Sequence, residues 1–238
     1  MKGLLQAPCI DWPYKYQAKQ GVVKSPLLQE FYQTEITSGQ TALKEIEFVA
    51  MDFETTGLDA NKDEIITIGL VPFTLQRVFL NRAKHWTVRP RQKLDEESVV
   101  IHGITHNDIM DAPDLKEIIQ PLLTELSGKI VVVHYHVIER EFLDQAFKRR
   151  IAEGIEFPII DTMQIESNIQ KRLTSGIWNK LRGKKPESLR LGQARQRYHL
   201  PDYPPHHALT DAIATAELMQ AQIAHHYSDA DQVKKFWL

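Results

Sequence analysis

The sequence of 238 residues predicts an α/β domain with a mixed central sheet flanked by helices. Three features predict this fold class: a β-rich stretch over residues 46–88, an apolar strand at residues 130–133 followed by a helical pattern, and a second helical pattern near the C-terminus. A helical crossover in front of residue 130 would make that strand parallel and central. A hydrophobic content of 42% is ample for one such core with room for an appendage.

The first 45 residues are predicted to form an N-terminal extension that is partly helical. Prolines and a glycine interrupt its beginning, whereas Leu28, Phe31, Tyr32 and Ile36 recur at helix-like spacing within residues 27–36. This helix could pack on the main domain or act as a docking arm for a protein partner. Packing is the more ordinary outcome.

Two acids lie at the end of the first predicted strand. Residues 46–50 are apolar and β-favouring, and they lead into Met-Asp-Phe-Glu-Thr-Thr-Gly-Leu at residues 51–58. Asp52 and Glu54 are therefore expected on the same face of a strand end, roughly 6 to 7 Å apart along it. Two carboxylates so placed can share hard divalent cations. Taken alone, the pair could equally be two solvated acids at a strand-to-turn junction.

A later predicted strand is followed by a helix that contains another acid. Residues 130–133 are typical of a buried central strand, and residues 137–149 are typical of the helix packed after it. Glu139 lies in the first turn of this helix, where the helix dipole favours its charge and where it could point across the strand ends. A further short strand is predicted at residues 157–160.

The C-terminal helical pattern begins beside a histidine. His206 follows Pro204-Pro205, which disfavour helix, and Asp211 falls in the first turns of the helix that comes next. With His206 on the entering loop, the two side chains can face one site, as a hydrolase needs for deprotonating water. A loop histidine with an ordinary first-turn acid is an equally weighted interpretation of this segment alone.

The order of these motifs resembles one enzyme family. D-x-E-T-T-G, then H-x(4)-acid-x-x-F-L, then H-x-A-L-x-D is similar to the DEDDh 3′-to-5′ exonucleases, over residues 46 to about 226. Residues 63–69 look like the family's second strand, and residues 100–105 look like its H-G-I turn. The resemblance implies a ribonuclease H-like exonuclease fold, which we place at residues 46–228, with a C-terminal tail at residues 229–238.

The resemblance also implies a two-metal hydrolase with two divalent ions, Mg2+ or Mn2+, as cofactors. In the family's arrangement Asp52 bridges both ions, Glu54 and Asp211 complete the first site, and Glu139 serves the second. His206 removes the proton from the attacking water. Carboxylate ligands without thiolates suit Mg2+ or Mn2+ rather than zinc.

The second motif departs from the family pattern. The family normally has aspartate where this chain has Glu139, and asparagine where it has Tyr135. Phe142-Leu143 fixes the register, so Glu139 rather than Glu141 takes the acidic place. Glutamate keeps the charge but moves the carboxylate by about one carbon–carbon bond, and we predict an active enzyme with an adapted site.

Substrate contacts are expected near the first motif and the H-G-I turn. By resemblance, the terminal nucleotide of the substrate meets Thr55, Thr56, Leu58, Glu97 and His102. The last two could equally be a solvated helix residue and a turn-capping histidine.

The distribution of charge, rather than the net charge of -2, suggests nucleic acid as a partner. Nine basic residues against one acid, Glu187, occupy residues 171–197. This stretch could hold a phosphate backbone while Trp178 stacks a base, but a solvated basic loop and a core tryptophan are at least as plausible. The expected partners are the 3′ ends of single-stranded DNA or RNA.

Cysteine and hydropathy patterns bear on the cellular location. Cys9 is alone, so no internal disulfide can form, and no stretch is long or apolar enough for a signal peptide or a membrane span. These features predict a cytoplasmic protein.

Three functions remain open at this point. The preferred one is a free-standing exonuclease that trims 3′ ends of single-stranded DNA or RNA to nucleoside monophosphates. The second is a proofreading subunit that works bound to a polymerase. The third is a catalytically weak or inactive module that binds nucleic acid or nucleotides. Retention of Asp52, Glu54, His206 and Asp211 argues against the third, since a decayed site has no reason to keep all four.

Overall fold

A computed structural model of the chain describes residues 10–91, 104, 106–174 and 187–238. Its strands are β1 (Phe48–Thr55), β2 (Ile65–Thr74), β3 (Arg77–Val78), β4 (Lys84–Thr87), β5 (Ile130–Val133) and β6 (Ile159–Asp161). Its helices are α1 (Trp12–Gln20), α2 (Pro26–Gln33), α3 (His106–Ile109), α4 (Leu115–Leu126), α5 (His136–Ile151), α6 (Thr162–Thr174), α7 (Leu191–Arg197) and α8 (Ala208–His226).

The described strands form one mixed sheet in the order β3-β2-β1-β5-β6, with β4 also paired to β2. β1 runs antiparallel to β2 and parallel to β5, and β5 runs parallel to β6. The predicted parallel strand after a helical crossover is therefore confirmed, and its bounds are those expected from the sequence. The strand predicted at residues 157–160 is β6, displaced toward the C-terminus.

The apolar runs of the central strands form the core. Every residue of β5 and β6 is buried, and nine of the ten residues of β2 are buried. β2 and β5 carry near-continuous apolar runs because helices or neighbouring segments cover both of their faces. The helix α8 packs across β1 and β2, which brings its first turn to the sheet.

The N-terminal segment packs onto this core. The predicted helix is present as α2, and α1, which was not predicted, precedes it. The rings of Tyr16 and Tyr32 meet edge to face with their centroids 5.0 Å apart, and Trp12 and Phe31 are buried beside them. Of the two alternatives for this segment, the structure of residues 10–45 shows packing.

Among the helices in the described part of the chain, none is both long enough and apolar enough to cross a membrane.

Candidate active site

The first motif lies on β1. The strand extends to Thr55, so both acids lie near its end, as expected from the sequence. Asp52 pairs with Gly69 of β2, and Glu54 pairs with Thr67. Because residues two apart share one face of a strand, the two carboxylates project to the same side of the sheet.

Gly69 allows α8 to approach that face. A Cβ atom added at Gly69 would collide with the backbone where Ala208 meets Leu209. Only a residue without a side chain lets the first turn of α8 lie directly on β2, opposite Asp52. This contact positions Asp211, which lies in the same first turn.

The result is a cluster of three carboxylates. Asp52, Glu54 and Asp211 each offer an oxygen such that the three oxygens lie within 4.8 Å of one another. Glu54 is buried, whereas Asp52 and Asp211 are half-buried. Oxygen ligands at this spacing suit a hard divalent cation.

Glu139 completes the acidic group from the other side. It lies in the first turn of α5, as predicted, and only 3% of its surface is exposed. Its Oε2 is buried without a hydrogen-bond partner, and its charge acts on Asp52. Glu141 is exposed on the opposite side of the helix, so the register inferred from Phe142-Leu143 agrees with the structure.

Burial and mutual repulsion raise the pKa values of these acids. The pKa of Asp52 lies well above its usual value because of burial and the nearby charges of Glu139, Asp211 and Glu54. Burial, with a contribution from Asp211, raises the pKa of Glu54 to about 7. Burial also raises the pKa values of Glu139 and Asp211.

This electrostatic state fits a bound divalent cation. Four clustered acids with raised pKa values and one unpartnered carboxylate oxygen are costly unless protons or a cation offset their charge. Within the part of the chain that the structure describes, the three clustered side chains Asp52, Glu54 and Asp211 all offer oxygen atoms, which suit a hard divalent cation.

His206 lies on the loop before α8, as predicted. Its side chain is exposed, its backbone is left-handed with φ of 67°, and its N–H donates to Asp211 Oδ2 at 2.8 Å. The next residue, His207, caps α8, since its Nδ1 accepts from the Thr210 backbone N–H. His207 also stacks on His85 of β4, with ring centroids 4.8 Å apart, a contact that was not predicted.

The predicted substrate-binding residues have different environments. Thr56 is buried, and its hydroxyl accepts from the Glu64 backbone N–H and donates to Asp63 Oδ1, so its side chain holds the turn. The Thr55 hydroxyl donates to the Gly57 carbonyl at 2.6 Å. Leu58 is 84% exposed beside this turn. The remaining two, Glu97 and His102, lie outside the described residues.

Asp161 is a site residue that the sequence analysis missed. It ends β6 and is buried, and its carboxylate accepts from the backbone N–H groups of Tyr135 and His136 and from His136 Nδ1. It thereby fixes the turn that leads into Glu139. The available signal was its position, an acid at the carboxyl end of an apolar strand parallel to β1 and β5.

The basic stretch over residues 171–197 is less available to phosphate than its composition suggests. Arg195 is buried and donates to Glu217 and to the carbonyls of Ala214 and Pro201. Arg197 donates to Glu166. These two arginines hold the fold together, so at these two positions the structure shows bonds within the chain, the alternative left open beside phosphate binding. Trp178 and four of the basic residues lie outside the described residues.

The fold and the site together define a class of protein, the ribonuclease H-like nucleases: a mixed sheet with four acids gathered at one edge and a histidine beside them. The chain belongs to the RNase T exonuclease family, since the family model, described as "Exonuclease", matches residues 49–219. The family and the fold predicted from the sequence are thus confirmed.

Individual relatives agree with this placement. The chain is 30% identical over 171 residues to a "DNA polymerase III PolC-type" protein of Thermotoga petrophila, a match that covers 72% of this chain and 11% of the relative. A structure of "Exonuclease X in complex with 5' overhanging duplex DNA" matches with a TM-score of 0.56 and 22% identity, covering 79% of this chain and 98% of the other.

A second solved structure is the nuclease domain of 3'hExo, described as a DEDDh family member bound to rAMP. It matches with a TM-score of 0.61 and 16% identity, covering 76% of this chain and 92% of the other. At these identities the two structures establish the fold. The chain spans about a tenth of the length of the Thermotoga petrophila relative.

Proposed function

We propose that this chain is a metal-dependent 3′-5′ exonuclease that hydrolyses the terminal phosphodiester of single-stranded DNA or RNA and releases nucleoside monophosphates. The observation that carries the proposal is the convergence of Asp52, Glu54 and Asp211, whose oxygens lie within 4.8 Å of one another, with the buried Glu139 beside them. Membership of the exonuclease family supports the same reaction.

Asp52, Glu54, Glu139 and Asp211 would hold two ions, Mg2+ or Mn2+. When bound, such ions stabilise the attacking and leaving oxygens of an in-line displacement at phosphorus. When the four side chains are ionised, their negative charge would repel a bare phosphate, and bound cations would offset that charge. The unpartnered Oε2 of Glu139 supports its role as a ligand.

His206 would act as the general base toward the attacking water. Its exposed side chain can reach water and substrate, while its backbone N–H is anchored to Asp211. An imidazole ring nitrogen that carries no proton can accept one from the attacking water. The left-handed backbone at His206 is compatible with a constrained functional position.

The terminal nucleotide would lie against the turn that follows β1. Leu58, with 84% of its surface exposed, offers an apolar contact for a base. Thr55 and Thr56 would contribute through their backbone, because both hydroxyl groups already bond within the turn. Glu97 and His102 remain predicted contacts.

The similar proteins suggest two settings in which this reaction could take place. A PolC-type polymerase among them supports a proofreading role beside a polymerase, whereas the match to 98% of the Exonuclease X chain supports a free-standing enzyme. We propose an exonuclease domain at residues 46–228, with residues 1–45 as an extension and residues 229–238 as a tail. A protein partner could bind through the extension.

The test is degradation of 5′-labelled single-stranded DNA and RNA oligonucleotides, resolved on a gel, with Mg2+, Mn2+ or EDTA. We expect a ladder that shortens from the 3′ end only with a metal ion. Asp52→Asn should abolish the ladder, whereas Asp229→Asn, which changes an exposed acid near the C-terminus, should not.

The opposite outcomes are equally informative. Cleavage that continues in EDTA, or that persists in Asp52→Asn, contradicts the proposed site. Intact oligonucleotide binding without any cleavage would favour the alternative, a module that has lost catalysis. Loss of the ladder in both variants would show a general effect of removing acids.

A further inference from the structure

We propose that Tyr135 sets how the enzyme holds its substrate: its ring stacks on a base of the strand that lies 5′ of the scissile phosphate. This inference rests on the proposed exonuclease function. Tyr135 touches neither the acidic cluster nor the terminal nucleotide in this view. It would be a residue of substrate recognition, located one helical turn before Glu139.

The backbone of Tyr135 has an unusual conformation for an aromatic residue. Its φ is 86° and its ψ is 70°, a left-handed conformation that bulky side chains rarely adopt. Asparagine and glycine occupy this region at lower cost. An aromatic residue kept in such a conformation is most readily explained by what its ring does.

Neighbouring contacts force this conformation. The N–H groups of Tyr135 and His136 each donate to the buried carboxylate of Asp161 at 3.1 Å. On the other side, the His134 ring bonds to Thr162 Oγ1 at 2.8 Å and to the Leu189 carbonyl at 2.9 Å. The turn is therefore fixed from both sides, while 44% of the Tyr135 surface stays exposed.

The turn lies at the edge of the sheet where the acids are. β1 last pairs with β5 at Ala50 and Val132, and β1 then continues past Asp52 as β5 ends and α5 begins. Ligands of α/β sheets bind at the carboxyl ends of parallel strands. Tyr135 follows β5 at that end.

A cavity of about 1070 Å3 opens beside the ring. Its lining includes Tyr135, His136, Arg140, Gln164, Lys235 and Trp237. Aromatic side chains suit a single strand, because bases stack on rings. The two basic side chains are already engaged within the chain, since Lys235 pairs with Asp231 and Arg140 donates to the Leu238 carbonyl, so the ring of Tyr135 is the group left to meet a base. The acidic cluster, by contrast, would receive the end of that strand.

The experiment compares three proteins on matched oligonucleotides. Tyr135→Asn removes the ring and tolerates the left-handed backbone, and Tyr135→Phe keeps the ring as the control. Substrates are intact or carry one abasic residue at the second, third or fourth position from the 3′ end. The measured quantity is kcat/KM for release of the terminal nucleotide, on the polymer that the wild type degrades.

We expect an abasic residue at the second or third position to lower kcat/KM of the wild type by roughly 5- to 100-fold, as loss of one stacked base would. On the intact strand, Tyr135→Asn should have a kcat/KM lower than that of the wild type by a similar factor. On that abasic strand, the two proteins should have the same kcat/KM. Tyr135→Phe should behave like the wild type. The inference would be overturned if Tyr135→Asn lowered kcat/KM relative to the wild type by the same factor on intact and abasic strands. It would also be overturned if Tyr135→Asn did not lower kcat/KM on the intact strand.

Two further readouts separate the possible failures. Affinities for the same strands with Ca2+ in place of Mg2+, measured by fluorescence anisotropy, should show the same contrast. If no protein cleaves but this contrast persists, the proposed function fails, and only the stacking of a base on Tyr135 is supported. If cleavage occurs without the contrast, the proposed function is supported and the stacking role of Tyr135 fails. Tyr135→Asn should also raise Tm by roughly 2 to 4 °C, and a fall in Tm would indicate a packing role instead.

Discussion

The backbone N–H of His206 donates a 2.8 Å hydrogen bond to Oδ2 of Asp211, five residues later. The acid that would hold a metal ion therefore also anchors the loop that carries the proposed base. His206 adopts a left-handed backbone at the same point, with φ of 67°. Any change at Asp211 is expected to disturb both the ligand set and the position of the histidine.

Asp211→Asn should remove the negative charge of this side chain while keeping its hydrogen bond to the backbone of His206. Asparagine keeps an oxygen that can accept from His206 but removes a charge that repels Asp52. We expect the metal-free Tm to rise by roughly 2 to 4 °C and Mg2+ to lose most of its stabilising effect. Calorimetry with and without Mg2+ measures both, with Asp229→Asn as the control. A lower metal-free Tm would contradict the repulsion inferred here.

His206→Ala should lower the rate of cleavage by roughly 100- to 10,000-fold without affecting folding. His206 is exposed, so its removal leaves no cavity. Initial rates on a labelled oligonucleotide give the effect, and circular dichroism checks the fold. The matched control is His199→Ala, another exposed histidine with a left-handed backbone. Similar losses in the two variants would remove the case for a base at His206.

Glu139→Asp tests whether the site has adapted to the longer side chain. The carboxylate is buried within the charge field of Asp52, so withdrawing it by one methylene should misplace it by about 1 Å. We expect a loss of up to about 100-fold in rate. Glu139→Gln should cost more, because the charge is also lost. An increase in rate for Glu139→Asp would show that glutamate impairs this enzyme.

Gly69→Ala should disable the site from a distance. The added methyl group collides with the α8 backbone at Ala208, so the first turn of α8 must move and carry Asp211 with it. We expect both lower Tm and a loss of cleavage that excess Mg2+ does not restore. Gly192→Ala is the control, since its methyl group meets nothing within 4 Å. Full activity in Gly69→Ala would refute the role given to this contact.

Glu54 makes stability depend on pH in a defined direction. Its pKa is about 7 in the folded chain, against 4.5 as the reference value. Between these values the folded state binds more protons than the unfolded state, so metal-free stability falls as the pH rises from about 4.5 to about 7. The loss is on the order of 3 kcal/mol for this group.

Urea unfolding between pH 5 and pH 8 measures this dependence. Glu54→Gln should flatten the fall without removing it, because burial raises the pKa of Asp211 in the same direction. Mg2+ should stabilise the protein more at pH 8 than at pH 5.5, since the ligands must lose protons to bind it. Metal-free stability that rises steadily from pH 5 to pH 7 would have the wrong sign.

Local sequence pattern was sufficient for much of the fold. β5 has four apolar residues between polar neighbours, and its bounds follow directly from that run. α1 was missed because Pro13 was taken to interrupt the segment, whereas it lies in the first turn of the helix, where proline is tolerated, and only Trp12 and Tyr16 of the helix are buried. Its stability comes from contacts with α2 and from residues distant in the sequence, including a bond from Trp12 Nε1 to the Leu238 carbonyl.

The sequence motifs allowed the acids of the site to be predicted, but not the contacts that hold them in place. Asp52, Glu54, Glu139 and Asp211 could be assigned, and the structure brings them together. Contacts between distant segments were inaccessible, such as the bonds that Tyr135 and His136 make to Asp161 or the stacking of His85 on His207. They depend on the packing of parallel strands and of α8, which no local pattern encodes.

The most direct test of the proposed site is a crystal structure with Mn2+ and a nucleoside 5′-monophosphate, with anomalous scattering used to locate the metal. We predict two manganese peaks about 3.5 to 4 Å apart, one bounded by Asp52, Glu54 and Asp211 and the other by Asp52 and Glu139. A well-ordered nucleotide with no manganese among these carboxylates, or with manganese bound elsewhere, would contradict the account.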